Sequence, residues 1–394
     1  MEISSTVDEE EVSDIFVRIN SKGKQLNQAD FILTLLSVFW DEGRKQLEEF
    51  CKKSRIPSES DSQPNPYNNF IKPHPDHLLR VAVGLGFKRA RLKSVYSVLR
   101  GKDMDTGNFT EELRDKQFEI LKIAQNYTLN LQNWHEFMKV LVKAGFRSNK
   151  MISSETTLLY AYVMYLIGKI DYKIDLYTLR NLIAKWYFMI VITSRYTSSP
   201  ETVMERDLAR LRGITDKEDF IKTIQRVIDD SLTNDFWTIT LVNNLETSSA
   251  QSPALFAYYA SLNLLEANVL FSKMKVSELI DPLISGNRKP IERHHLFPRA
   301  YLKSIGINET RIINQVANYA LVEWGDNNNI ADNSPKDYFP QYASRYSEEE
   351  FKKLMEWHAL PDGWEDMDYN EFLERRRLLM AKIIQKGFTK LSET

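Results

Sequence analysis

The chain has 394 residues, with 52 Lys and Arg against 54 Asp and Glu, and its net charge of −2 excludes a global electrostatic pull toward nucleic acid. A 43% share of hydrophobic side chains suffices for two or three domains with cores of their own. The single cysteine, Cys51, excludes a disulfide within the chain and a four-cysteine zinc site, and it suits a reducing cytoplasm.

The first residues are polar and acidic, unlike a secretory signal. The run Asp8-Glu9-Glu10-Glu11 suits the N-terminal turn of a helix. Residues 12–18 alternate loosely and turn at Ser21-Lys22-Gly23, and Asn27 then caps a long helix predicted over 30–53. Residues 57–75, rich in Ser, Pro and Asn, predict an exposed linker. His74 and His77 have a spacing that metal ligands use. No Cys or carboxylate cluster accompanies them, so they read as a helix N-terminus.

Helical spacing recurs over 77–85, 110–127, 134–144, 155–169 and 176–194. The aromatics Tyr160, Tyr162, Tyr165, Trp186 and Tyr187 within it read as core rather than base-stacking residues. The longest apolar runs, 31–40 and 158–167, are too short to cross a membrane, so a soluble protein is expected. Arg195, Tyr196 and Glu201 form a polar cluster after an apolar helix. They suit a helix C-terminus, with Arg195 on the last carbonyls, or a DNA-facing or interdomain surface. A polar loop at 246–252 precedes a helix predicted over 253–271, which is expected to pack on the finger formed by the two strands predicted after it. His135 and His358, beside Trp134 and Trp357, read as packing residues.

Two of the six histidines stand side by side in Arg293-His294-His295-Leu296-Phe297-Pro298. Residues 290–295 predict a short strand after the Ser285-Gly286-Asn287 turn, and 317–324 a second strand ended by Gly325-Asp326. Asn318 falls within that second strand, and Asn327 opens a helical turn expected over 327–337. Residues 348–386 predict two helices around the break at Pro361-Asp362-Gly363. A bare His-His pair could equally be a helix cap or a core contact. With the proline, the two asparagines and the strand–turn–strand context, the pattern is the skeleton of an HNH (His-Me finger) nuclease site.

Hydrolysis of a phosphodiester needs a base to activate water and a cation beside the phosphate. His295 suits the base, because an imidazole titrates near neutral pH. His294 points to the opposite side of an extended strand, yet at a strand end bent by Pro298 both can serve one site. His294 and Asn327 are therefore assigned as ligands of one divalent cation, Mg²⁺ or Mn²⁺. Asn318 is assigned to holding the histidine loop through side-chain-to-backbone hydrogen bonds. Around the site Arg288, Lys289, Arg293, Arg299, Lys303 and Arg311 outnumber Glu292 and Glu309. That excess suits phosphate contacts, above all at Arg293, Arg299 and Lys303, although each alone could be a solvated surface charge.

The stretches 292–302 and 313–319, then 327–330 and Ser334-Pro335-Lys336-Asp337-Tyr338, resemble the C-terminal nuclease domain of the GmrSD-type restriction endonucleases. The closing run Phe372-Leu373-Glu374-Arg375-Arg376-Arg377 is similar to that family's last helix, and 15–30 resembles the second half of its ParB-like N-terminal domain. Arg195-Tyr196 and Ser198-Ser199-Pro200-Glu201 are like a segment of its linking region, so the resemblance runs along nearly the whole chain. It implies cleavage of double-stranded DNA, with foreign or modified DNA as the target. Two departures stand out. The family's Asp-Gly-Gln-Gln-Arg nucleotide motif is missing, so that half-domain is expected either to come from a separate chain or to have been lost, and no GTP or ATP hydrolysis is expected here. His294 stands where HNH nucleases often have Asp, and a neutral imidazole favours Mn, Co or Ni over Mg.

The sequence thus predicts a mainly α protein with a small C-terminal ββα nuclease motif, cytoplasmic and not in a membrane. Its expected parts are a ParB-like remnant and long helix at 1–55, a helical region at 76–284 and a nuclease domain at 285–394. The expected function is metal-dependent DNA cleavage. The alternative is a non-catalytic helical scaffold or DNA-binding subunit of a split restriction system.

Overall fold

The structure is a computed structural model that describes residues 28–58, 64–103, 106–281, 292–323, 325–326 and 330–393. The expectations at residues 8–27, and those at Arg288, Lys289, Trp324 and Asn327, lie outside the described residues. The described chain is mainly helical with one small two-stranded sheet. It forms two compact units. One is Met1–Phe137, Leu158–Ile174 and Tyr196–Phe220, and the other Met138–Thr157, Asp175–Arg195 and Ile221–Thr394.

In chain order the helices are α1 Gln28–Phe39, α2 Asp41–Lys53, α3 Pro75–Phe87, α4 Leu92–Leu99, α5 Glu111–Thr128, α6 Leu131–Lys143, α7 Glu155–Ile170, α8 Leu176–Ile192, α9 Pro200–Ala209 and α10 Lys217–Ser231. A π-turn at Phe236–Thr240 runs into α11 Leu241–Asn244, followed by α12 Pro253–Leu264 and α13 Val276–Ile280. Then come β1 Glu292–His295, α14 Arg299–Ser304, α15 Thr310–Ile313, β2 Tyr319–Val322, α16 Pro335–Ala343, α17 Glu348–Trp357 and α18 Tyr369–Glu393. Among the described residues, no helix is long and apolar enough to cross a membrane.

The long helix predicted over 30–53 is two helices. Trp40 leaves helical geometry at φ −157°, ψ 65°, and its indole fills the space that a Cβ on Gly43 would need. The break is a tertiary packing event between a large ring and a glycine, which helical periodicity does not register. His74 caps α3, with Pro75 at the first helical position, the helix N-terminus expected there. The linker expected to be exposed is only partly so. Phe70 and Ile71 are buried, Asn68 Oδ1 accepts from both of their amides, and the Trp134 indole donates to the Pro66 carbonyl at 2.9 Å. Side-chain-to-backbone turns let this Pro- and Asn-rich stretch bury apolar groups without regular structure.

In the second unit α12 is buried on every side from Ala254 to Asn263 and packs on α18 and α8. Gly387 of α18 lies so close to Ser261 that a Cβ there would overlap it, which explains a glycine inside a 25-residue helix. The helix predicted over 253–271 ends at Leu264. Beyond it the chain turns back to form a parallel bridge from Leu270 to Val322, the Leu270 amide donating to the Leu321 carbonyl at 3.0 Å. β1 and β2 pair antiparallel with His294 opposite Ala320 and His295 opposite Tyr319. β2 is shorter than predicted because Val316–Asn318 forms a 3₁₀ turn at its start. Two short helices, α14 and α15, fill the connection between the strands.

Candidate active site

β1 ends at the two histidines. Successive strand residues face opposite ways, and the two histidines do so. The His294 ring lies 6.0 Å from that of Tyr338, edge to face, and only 4% of the residue is exposed. The His295 ring turns to the other face, where it is half-buried, tilts over Tyr319 at 4.8 Å and meets Asn314 Oδ1 through Nε2 at 3.0 Å. Burial pushes the His295 imidazole below its ordinary pKa. The Asn314 bond opposes that shift and the nearby Arg299 charge adds to it. The ring is therefore neutral, and able to take a proton, at physiological pH.

The loop after His295 is held on all sides. Asn318 Oδ1 accepts from the Phe297 amide at 2.8 Å, while its Nδ2 donates to the Phe297 and Ile313 carbonyls at 3.1 and 3.0 Å. One buried amide thus spans both ends of the insertion between the strands, the side-chain-to-backbone bonding expected of this residue. The Tyr338 hydroxyl donates to the Leu296 carbonyl at 2.7 Å, and the Tyr369 hydroxyl to those of Ile312 and Ile313 at 2.9 and 3.2 Å. Phe297 closes the loop's apolar side against Trp364, Tyr369 and Phe372.

Behind β2 lies Arg376, fully buried on α18. Its Nη1 donates to the Ala317 carbonyl at 2.6 Å, and its Nε and Nη2 reach the His358 carbonyl at 3.2 and 3.1 Å. Burial lowers the pKa of this guanidinium below its usual range. His358 is also buried, and its Nε2 lies 2.9 Å from the Asn268 carbonyl. Burial depresses its imidazole pKa to about 4, so it stays neutral. It is a packing residue, as its neighbour Trp357 suggested. His135 has a similar post, 2.8 Å from the Asn65 carbonyl.

Of the basic residues, Arg299 and Lys303 stand exposed on α14, the helix that follows Pro298 directly. Arg293 pairs with Leu321 in the sheet, and its side chain lies outside the described part of the structure. The polar cluster after α8 is structural. The Arg195 amide bonds the Ile190 carbonyl and its guanidinium lies over Trp186, whereas Tyr196 donates to Asp207 and Glu201 pairs with Arg80. Sequence reasoning gave no role to Asn314, Tyr338, Tyr369 or Arg376. For Arg376 a signal existed, because it continues the buried stripe Phe372, Met380, Ile384, Gly387 and Leu391 at helical spacing.

No group of three or more His, Cys, Asp or Glu able to hold a metal occurs among the described residues. A scan of protein-family models and a search of curated protein sequences each found no match to this chain.

Proposed function

We propose that this protein is an endonuclease that hydrolyses phosphodiester bonds in double-stranded DNA, with His295 as the general base. The observation that carries the reading is a half-buried, neutral imidazole at a strand end, oriented by a side-chain amide, with two exposed cations one helical turn apart just beyond it. His295 takes a proton from water as the water oxygen attacks phosphorus. The P–O3′ bond breaks, the 3′ oxygen gains a proton from solvent, and the product carries a 5′-phosphate. Arg299 and Lys303, with Arg293, hold the flanking phosphates and position the strand. Asn318 acts through the loop geometry by fixing Phe297, two residues from the base.

The proposal includes one divalent cation, Mg²⁺ or Mn²⁺. His294 and Asn327 would hold it, and water and phosphate oxygens would complete its shell. An imidazole and an amide oxygen are both neutral donors that such cations accept, so the donor chemistry fits, Mn²⁺ better than Mg²⁺. When bound, the cation supplies charge neutralisation at the phosphorane and the leaving oxygen. A cytoplasmic setting suits the buried, reduced Cys51. Restriction of foreign or modified DNA is the use that the GmrSD-like segments imply.

The test is incubation of the full chain with modified and unmodified plasmid in Mg²⁺, Mn²⁺ or EDTA. Nicking or linearisation that EDTA stops and His295→Ala removes is the expected result. Intact plasmid under every cation, with or without retained DNA binding, overturns the enzyme and leaves a binding or scaffold subunit. An Mn²⁺ midpoint that Asn327→Ala leaves unmoved takes that residue out of the ligand set.

A further inference from the structure

We propose that Asn314 is a positioning residue that fixes His295 in the Nε2–H tautomer and leaves Nδ1 as the basic nitrogen. The tautomer stands on geometry, and only its use in DNA cleavage rests on the nuclease reading. Among the described residues, the hydrogen bond of the His295 ring is the one from Nε2 to Asn314 Oδ1 at 3.0 Å. A carbonyl oxygen can only accept, so the nitrogen facing it carries the proton. The flipped amide would engage the Nε2 lone pair and leave the proton on Nδ1, so that neither ring nitrogen could accept one from water.

Asn314 can impose this choice because its own place is fixed. It ends α15, its amide donating to the Thr310 carbonyl at 2.9 Å. The preceding residue is held through its carbonyl by Asn318 and Tyr369, and the Val316 amide bonds the Thr247 carbonyl at 2.8 Å. The acceptor is thus carried on a braced turn, while Tyr319 covers the face of the ring. Rotation of the imidazole would break the bond and uncover that face.

The experiment is nitrogen NMR of the full chain with ¹⁵N-labelled histidine, in EDTA and at about pH 8.5, where an imidazole is neutral. The His295 signals are identified by their loss in His295→Gln. The expected result is Nε2–H in the parent and in Asn314→Asp, which keeps the acceptor, and a shift toward the other tautomer in Asn314→Leu. On DNA, Asn314→Leu should lower kcat by roughly 10–100-fold with KM unchanged, the range seen when a partner orienting a ligating histidine is lost. Asn314→Asp should restore most of that loss. A parent with the proton on Nδ1, or an Asn314→Leu protein with the parent's tautomer, overturns the proposal. If Asn314→Leu does not fold, the parent and Asn314→Asp signals decide. An Nε2–H parent that never cuts DNA upholds the positioning and retires the nuclease reading instead.

Discussion

In the unit that contains Arg80, side-chain charges meet as ion pairs near the surface: Arg80 with Glu201, and Lys88 with Asp171. Around the β1–β2 hairpin, Asn318, Tyr338, Tyr369 and Arg376 are instead buried and bond backbone groups. Partly exposed pairs gain little over their solvated state, so evolution can exchange them cheaply. A buried donor aimed at a carbonyl is different, because its removal leaves the carbonyl desolvated with nothing in exchange. The hairpin side is therefore the region whose geometry a single substitution can undo, and it is the region that carries His295.

The largest expected effect is on chemistry. His295→Ala should lower plasmid cleavage about 10²–10⁴-fold while thermal melting stays close to the parent's, because a half-buried ring at a strand end contributes little to the core. Parent-level cutting by this variant would mean that the braced loop serves something other than the proposed base. Next comes Arg376→Met, which fills the space but leaves the Ala317 and His358 carbonyls without their donor. Urea unfolding should register a loss of about 3–5 kcal/mol. A loss under about 1 kcal/mol would erase the contrast between the two regions.

Much of this region could be read before any fold was known. His294-His295 and Pro298 marked the strand end, the apolar run after Asn318 marked the second strand, and periodicity found most helices. What escaped has physical causes. Asn314 is 19 residues from His295, and nothing in either residue's neighbourhood says that a turn will fold one against the other. In Arg375-Arg376-Arg377 all three share one chemistry, and only the helical spacing of the apolar stripe along α18 selects the middle one. Trp40 breaks a helix through the glycine three residues on, a contact of shape rather than of propensity.

A third prediction uses pH. His358 is buried and neutral, with its Nδ1 lacking a hydrogen-bond partner among the described residues and its pKa depressed to about 4. An unfolded histidine titrates near ~6.5, so between these values the unfolded chain binds the extra proton. Stability from this group is whole above pH ~6.5 and falls as pH drops toward about 4, by roughly 3 kcal/mol in all. Paired urea titrations at neutral and acid pH should show a larger acid loss in the parent than in His358→Gln. Equal losses would mean that carboxylates elsewhere set the acid sensitivity.

The smallest effect belongs to the ion-paired unit and is the control for all the others. Arg80 joins α3 to Glu201 in the first turn of α9, with both side chains retaining substantial solvent contact. Removing the charge costs a Coulomb attraction weakened by water, and returns the side-chain freedom that the pairing had held. Arg80→Ala should therefore cost under about 1 kcal/mol at low salt, and less still at about 1 M salt, where charges are screened over ~3 Å. Arg80→Met keeps an unbranched apolar stem while removing the charge, so it separates packing from charge and should cost less than Arg80→Ala. If either variant instead lost as much as Arg376→Met, with no relief from salt, the pair would be part of the core, and burial rather than pairing type would distinguish the two regions.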